Sequence, residues 1–178
     1  SESRIRFAAE PLVQQVPEAR DDAAATADLQ DSPAITASSL AQLVSARLDA
    51  AESQPDELSR ELNCLAGAVY FEAKSETLAG QLAVGRVVVA RSKSGRFPNS
   101  YCGVVFQPSQ FSFVRGRAMP GISKGSKQWK NAVAIAQIAH SGAWSSPVEG
   151  ALFFHAAYVS PGWKLRRVGR VENHVFYR

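Results

Sequence analysis

The chain has 178 residues, 46% of them hydrophobic and 20% charged, with a formal net charge of +4. That make-up fits an ordinary globular domain with room for an extension, and it excludes a disordered chain, a collagen-like chain and a disulfide scaffold. No run approaches the roughly 18 apolar residues of a membrane span, and no basic stretch with an apolar core follows Ser1 as a secretory leader requires.

The charge is unevenly placed. Residues 1–85 hold six Lys/Arg and fourteen Asp/Glu, a net of −8, whereas residues 86–178 hold fourteen Lys/Arg against Glu149 and Glu172 alone, a net of +12. So basic a half attracts polyanions or anionic surfaces, unless the acidic half folds over it.

In chain order, residues 1–37 read as low-order chain rich in Ala, Asp, Gln and Pro, with a short helix expected around Ala19–Leu29. From Ser38 to Glu52 the apolar Leu40, Leu43, Val44 and Leu48 recur at helical spacing behind a serine cap, and Ser53-Gln54-Pro55-Asp56 ends the run. A second helix is predicted over about Glu57–Ala73, with Leu58, Leu62, Leu65, Ala66 and Val69 as its stripe. After the polar break Lys74-Ser75-Glu76-Thr77, a third runs to about Ser94. Ser94 to Met119 reads as loop with short extended pieces, Gln110 to Val114 showing strand alternation. A fourth helix spans about Ser126–Ser141 with Gly142 as its stop, and two strands, Ala151 to Ala156 and His174 to Arg178, close the chain. Helices followed by a few strands predict an α+β fold: about four helices and a small antiparallel sheet, with a partly helical N-terminal extension over 1–56 and a second domain over 57–178.

Chemistry concentrates in Ala68 to Glu76. Glu72 follows Val69, Tyr70 and Phe71 near a helix end, and a carboxyl beside aromatic rings loses hydration, which raises its pKa and suits a general acid. Glu76 lies four residues on, so a continued helix would put both acids on one face, the pairing used to cleave glycosidic bonds. The plain alternative is two surface glutamates at a solvated helix end.

His155 and His174 fall in predicted strands and could share a metal with a Glu. Strand histidines more often satisfy local hydrogen bonds, so no metal and no other cofactor is expected. HExxH, P-loop and GxGxxG motifs are missing. Phe111, Trp163 and other late aromatics interleave with Gln107, Gln110 and His155, which suits a sugar groove, a single-stranded nucleic acid groove or simply a core. Cys64 and Cys102 fit either a disulfide or buried thiols.

From Cys64 onward the chain resembles the spore cortex-lytic (SleB/CwlJ-type) cell-wall hydrolase family. The matching pieces are YFEAKSE (Tyr70 to Glu76), GQLAV (Gly80 to Val84), FPNSYCGVVFQ (Phe97 to Gln107), QFSF (Gln110 to Phe113), FFHA (Phe153 to Ala156), Trp163 and NHVFYR (Asn173 to Arg178), over about two-thirds of the chain. Each piece is weak alone, and their order and spacing are specific. The resemblance implies a lysozyme-like lytic domain that cleaves the β-1,4 bond between N-acetylmuramic acid and N-acetylglucosamine. The family's essential glutamate falls on Glu72. The chain departs from the family at Lys74 and Ser75, where Arg-Gly is usual, at Ala90 for Asn and at Glu172 for Gly.

What the resemblance implies is then a lytic transglycosylase of the cell envelope, a monomer with Glu72 as acid and base. Glu76 is the candidate second carboxylate of a water-using muramidase, and a non-catalytic peptidoglycan-binding protein is the remaining alternative. Tyr70, Gln107, Gln110, Phe111, His155, Trp163 and His174 are expected to hold glycan strands, with no nucleic acid partner. The resemblance also favours a Cys64–Cys102 disulfide, because relatives carry further cysteines where this chain has Ser109 and Arg115. The acidic head is read as a cover over basic surface or as a tether from a membrane anchor upstream of residue 1, and the helix after it as packed on the rest.

Overall fold

Five helices and one three-stranded sheet make up residues 39–54 and 57–178, the residues that the computed structural model describes. The helix expected near Ala19–Leu29 and the breaker residues Pro55 and Asp56 lie outside them.

Each long helix begins where a hydroxyl side chain can take up a free backbone N–H. Ser39 accepts from Gln42 N ahead of α1 (Leu40–Ser53), and Ser59 accepts from Leu62 N ahead of α2 (Arg60–Ala73). Thr77 caps α3 (Leu78–Lys93). The cap at Ser59 explains why α2 starts three residues later than the apolar stripe suggests. Helix α1 buries Leu43 and Val44 against the fifth helix, so its stripe is covered as expected.

Helix α3 is buried on nearly every side, from Gly80 through Val84 to Arg91, and serves as the central post. At Gly85 a Cβ would stand 3.2 Å from Val69 of α2 and 3.4 Å from Ala139 of the fifth helix. The missing side chain is what lets three helices cross there.

Two expectations for 94–119 are corrected. A short helix α4 (Tyr101–Val105) replaces part of the loop, capped by Ser100 and by Glu61 of α2, whose carboxylate accepts from Tyr101 N (2.8 Å) and Cys102 N (3.2 Å). Gln110–Val114 is no strand. It runs as turns, with only an isolated Arg115–Ala118 bridge after it, because Gln110 and Phe111 are drawn inward by a buried cation and no strand is there to pair with. Cys64 and Cys102 are joined by a disulfide, Cα atoms 5.1 Å apart, which pins α4 to α2.

Helix α5 (Lys127–Ser141) starts on the Ser126 cap and stops at Gly142 in the left-handed region, as predicted. Strands β1 (Phe153–Ala156), β2 (Arg167–Val171) and β3 (His174–Tyr177) form an antiparallel sheet in the order β1-β3-β2. β2 is unforeseen: its side chains are mostly half-buried or exposed, so it lacks the apolar run that marks its neighbours. A two-residue turn, Glu172-Asn173, joins it to β3, with Glu172 at φ 47°.

The cation is Arg91, which has no exposure to solvent. Its Nε donates to Leu152 O (2.7 Å) and its NH1 to Gln110 Oε1 (3.3 Å), while Phe97, Phe153 and Phe111 lie 4.6, 5.5 and 5.9 Å from the guanidinium. Burial lowers its pKa to about 9, so it stays charged at neutral pH.

Two outcomes follow from this packing. Arg91→Ala should cost about 3–5 kcal/mol in urea unfolding, since it strands the Gln110 and Leu152 acceptors beside a cavity; a loss under about 1 kcal/mol would contradict the role given to Arg91. Replacing both Cys64 and Cys102 by Ala opens a crosslink across 38 residues and should cost roughly 2–4 kcal/mol in the same measurement.

Candidate active site

Glu72 stands one residue before the end of α2, where the helix reaches the sheet. The site is backed by a continuous line of rings. Tyr70 meets Phe71 edge-on at 5.0 Å and Trp129 at 5.8 Å, with Lys74 Nζ 4.6 Å above the Tyr70 ring. Phe71 stacks on Phe113 at 4.8 Å, and contacts continue through Phe111 and Phe154 to His174.

The two glutamates part company at Ala73. The helix stops there, so Glu76 leaves the α2 face and turns to the sheet. Its side chain is only 3% exposed, and both carboxylate oxygens lie 3.0 Å from His174 Nδ1. A carboxylate only accepts, so Nδ1 carries the proton. Glu76 also accepts from Asn173 N at 3.3 Å. One residue on, Thr77 N donates to the Glu172 carboxylate at 2.9 Å. The turn between α2 and α3 and the tip of the β2–β3 hairpin are thus clasped together by two acids.

Glu72 has no such partner: no described residue hydrogen-bonds its carboxyl. Protein crowds it while part of its surface stays open. Loss of hydration raises its pKa from 4.5 to about 7, with His174 pulling it down and Glu76 adding to the rise. A carboxyl that is partly accessible, unpartnered and half-protonated near neutrality can hand over a proton and take one back.

The other expected site residues fall into four groups. His174 joins Glu72 and Glu76. Gln110 and Phe111, 5% and 3% exposed, are spent on Arg91 and the ring line, and Tyr70 is largely buried against Trp129, so these three support the site from behind. Gln107 follows α4 with a buried side-chain oxygen that no described group satisfies. His155 and Trp163 lie elsewhere. In the β1–β3 register Ala156 faces His174 and His155 faces Val175, so the two histidines project to opposite faces of the sheet. His155 Nδ1 donates to Ala156 O (2.7 Å) and Nε2 accepts from the Tyr177 hydroxyl (2.8 Å), with Trp163 5.4 Å from its ring. The shared metal site is therefore ruled out for this pair by the pleat, and His155 and Trp163 are separated from the Glu72 face. Among the described residues no three His, Cys, Asp or Glu side chains converge as a metal would need.

Thr77, Asn173 and Arg91 are not among the site residues expected from the sequence, and Glu172 enters there only as a departure from the family it resembles. The signal for Thr77, Glu172 and Asn173 was the turn at 172–173, legible only once β2 is recognised as the partner of β3.

Three comparisons place the chain among known proteins. The family model described as Cell Wall Hydrolase matches residues 75–177, which takes in Glu76 and His174 and begins three residues after Glu72. The spore cortex-lytic enzyme of Bacillus subtilis (strain 168) is 43% identical over 56 residues, 32% of this chain and 18% of that protein; the Bacillus cereus enzyme is 41% identical over 54 residues, 30% and 21%. The matches thus span about a fifth of those relatives' lengths. Among solved structures, the catalytic domain of the germination-specific lytic transglycosylase SleB from Bacillus anthracis superposes with a TM-score of 0.55 at 27% identity, over 70% of this chain and 99% of that one. The catalytic domain of the Bacillus cereus SleB protein gives 0.53 at 27% identity, over 70% and 94%.

The raised pKa of Glu72 has a consequence for stability. The native state holds this proton more tightly than the unfolded state does. The stabilisation is complete below about pH 4.5 and is lost as pH rises through about 7. Glu72→Gln should therefore match the parent in unfolding free energy at pH 4 and exceed it by roughly 2–3 kcal/mol at pH 8. Chemical denaturation at the two pH values checks this, and an equal difference at both would show that the carboxyl is not desolvated.

Proposed function

The chain belongs to the cell wall hydrolase family, and from that premise we propose that it is a peptidoglycan-cleaving glycosidase, a lytic transglycosylase that works with Glu72 alone. The observation that carries the reading is the contrast between the two acids: Glu72 is unpartnered with a pKa of about 7, and Glu76 is held by His174 and Asn173 N.

In this mechanism neutral Glu72 protonates the glycosidic oxygen between N-acetylmuramic acid and N-acetylglucosamine. The C1–O bond breaks through an oxocarbenium-like state. The Glu72 carboxylate left behind takes the proton from the muramic C6 hydroxyl, and that oxygen closes on C1 to give an anhydro ring. The nucleophile is part of the substrate and already positioned, so no second carboxylate is needed to activate water. Glu76 and His174 act through Glu72: burial chiefly raises its affinity for the proton, His174 lowers it and Glu76 adds to the rise. The catalytic unit is residues 57–178, acting in the cell envelope, with peptidoglycan strands as its partner and Gln107 the remaining candidate for a polar contact with them.

Purified peptidoglycan incubated with the protein should release fragments that carry anhydro ends by mass spectrometry. Glu72→Gln should remove activity by at least ~100-fold, and Glu76→Gln should cost less. Release by the parent should fall as pH rises above about 7, since the acid must be protonated. Near-normal turnover by Glu72→Gln would sink the assignment, and reducing ends with equal losses at both sites would favour the two-carboxylate muramidase.

A further inference from the structure

Helix α2 carries a second feature on another face, at its opposite end. A cavity of about 370 Å3 opens beside its first turns, lined by Arg60, Asn63, Phe106, Arg117, Met119 and Lys124 among others. Gly67 lies on the same helical stripe as Arg60 and Asn63. Glu72 is about 140° further round the helix, and some 12–18 Å along the axis from the cavity residues Cys64 and Arg60.

The cavity is built. Gly67 has no side chain where Met119 sits down on α2; any Cβ there would collide with the Met119 sulfur and methyl. That seats the loop against the helix. Just before Met119, Arg115 and Ala118 exchange backbone hydrogen bonds of 3.0 and 3.1 Å around Gly116 (φ 62°) and Arg117, a tight turn that presents Arg117 at its tip. On the remaining side the disulfide at Cys64 fixes α4, whose C-cap is Phe106.

Its chemistry is one-sided. Arg60, Arg117 and Lys124 bring three positive charges to one opening. Among the described residues none of the three has a carboxylate within ion-pair distance, although Arg86 and His174 have theirs. Three exposed like charges around one opening attract an anion, and the two guanidinium groups can each offer paired donors to a carboxylate. Phe106 and Met119 add apolar wall, and Asn63 adds an amide that can donate and accept. The volume suits a small ligand.

We propose that this cavity binds the acidic stem peptide of peptidoglycan, with the cations on its carboxylates and the apolar wall against its alanine methyls. The proposal rests on the peptidoglycan-cleaving reading above. Sugar rings call for flat aromatic platforms and hydroxyl partners; free carboxylates beside small apolar groups match three cations and an apolar wall. A stem hanging from a muramic residue away from the cut bond would reach a site displaced along α2 from Glu72, so the cavity sets which strands are held.

The test uses the full chain and its Arg117→Gln/Lys124→Gln variant, both positions exposed and outside the catalytic machinery. Substrates are soluble glycan strands with intact stems and the same strands after amidase has removed them. The parent should show a KM about tenfold lower on stem-bearing strands at similar kcat, and the variant should lose that advantage while its rate on bare strands is unchanged. Equal KM values for the parent on both substrates would overturn the proposal. So would an equal loss by the variant on both, which marks a general pull on polyanions such as teichoic acid. If the parent cut neither substrate, the glycosidase reading would fail by itself. Calorimetric titration with a free stem tripeptide then decides the cavity separately: binding by the parent that is lost in the variant, and lost when the peptide carboxylates are amidated, supports it, and no binding by the parent refutes it.

Discussion

A guanidinium without access to water governs how the helices meet the sheet. Arg91 leaves the last full turn of α3 and is enclosed by segments from three other places: Phe97 before α4, Gln110 and Phe111 after it, and Leu152 and Phe153 at the start of β1. Burying such a charge is costly unless its donors find acceptors and its flat faces find rings. Each of those segments supplies one or the other, so none can drift without exposing the cation to an unmet demand. The consequence reaches the surroundings of Glu72 through the 107–114 loop. The same loop that gives Gln110 and Phe111 to Arg91 gives Phe113 to the stack on Phe71, the residue next to Glu72.

The two carboxylates four residues apart show how a helix end can sort identical side chains. Before the end, Glu72 keeps a hydrophobic flank and no donor. After it, Glu76 turns to meet His174 and Asn173 N, nearly a hundred residues away in sequence. One acid accepts hydrogen bonds from the hairpin, and the other is pushed toward its neutral form by desolvation. The Glu76 charge then adds to the rise at Glu72. Two unlike environments for a carboxyl group are thereby made from one sequence motif.

Glu172 illustrates a compromise at the same contact. Its φ of 47° is a region glycine occupies freely and other residues enter at a cost of roughly 1 kcal/mol. Here the carboxylate accepts Thr77 N at the start of α3, where negative charge and a hydrogen-bond acceptor are both favourable. The strain at the turn is offset by a tie between the hairpin tip and the central helix, and that tie sits beside the Glu76–His174 pair.

Much of this was legible in the residues themselves. The stripes of α1, α2 and α5, the stop at Gly142, the apolar runs of β1 and β3 and the placing of Glu72 beside Tyr70 and Phe71 all follow from periodicity, capping and desolvation, which act over a few neighbouring residues. The tertiary structure decided the rest. Arg91 reads locally as one more basic residue near a helix C-terminus, and only convergence of three distant segments makes it a core residue. Gln110 to Val114 alternates like a strand and is none, because a strand needs a partner edge and this segment meets a buried cation instead. His155 and His174 look equivalent in sequence, and the pleat sends them to opposite faces once β1 and β3 pair in their register. Glu76 would share one face with Glu72 if α2 continued; the helix ends at Ala73, and the hairpin across from it brings His174 to that carboxylate. Local chemistry is written in short stretches of chain, whereas burial, pairing and charge partners depend on contacts between residues far apart in sequence, which no local pattern records.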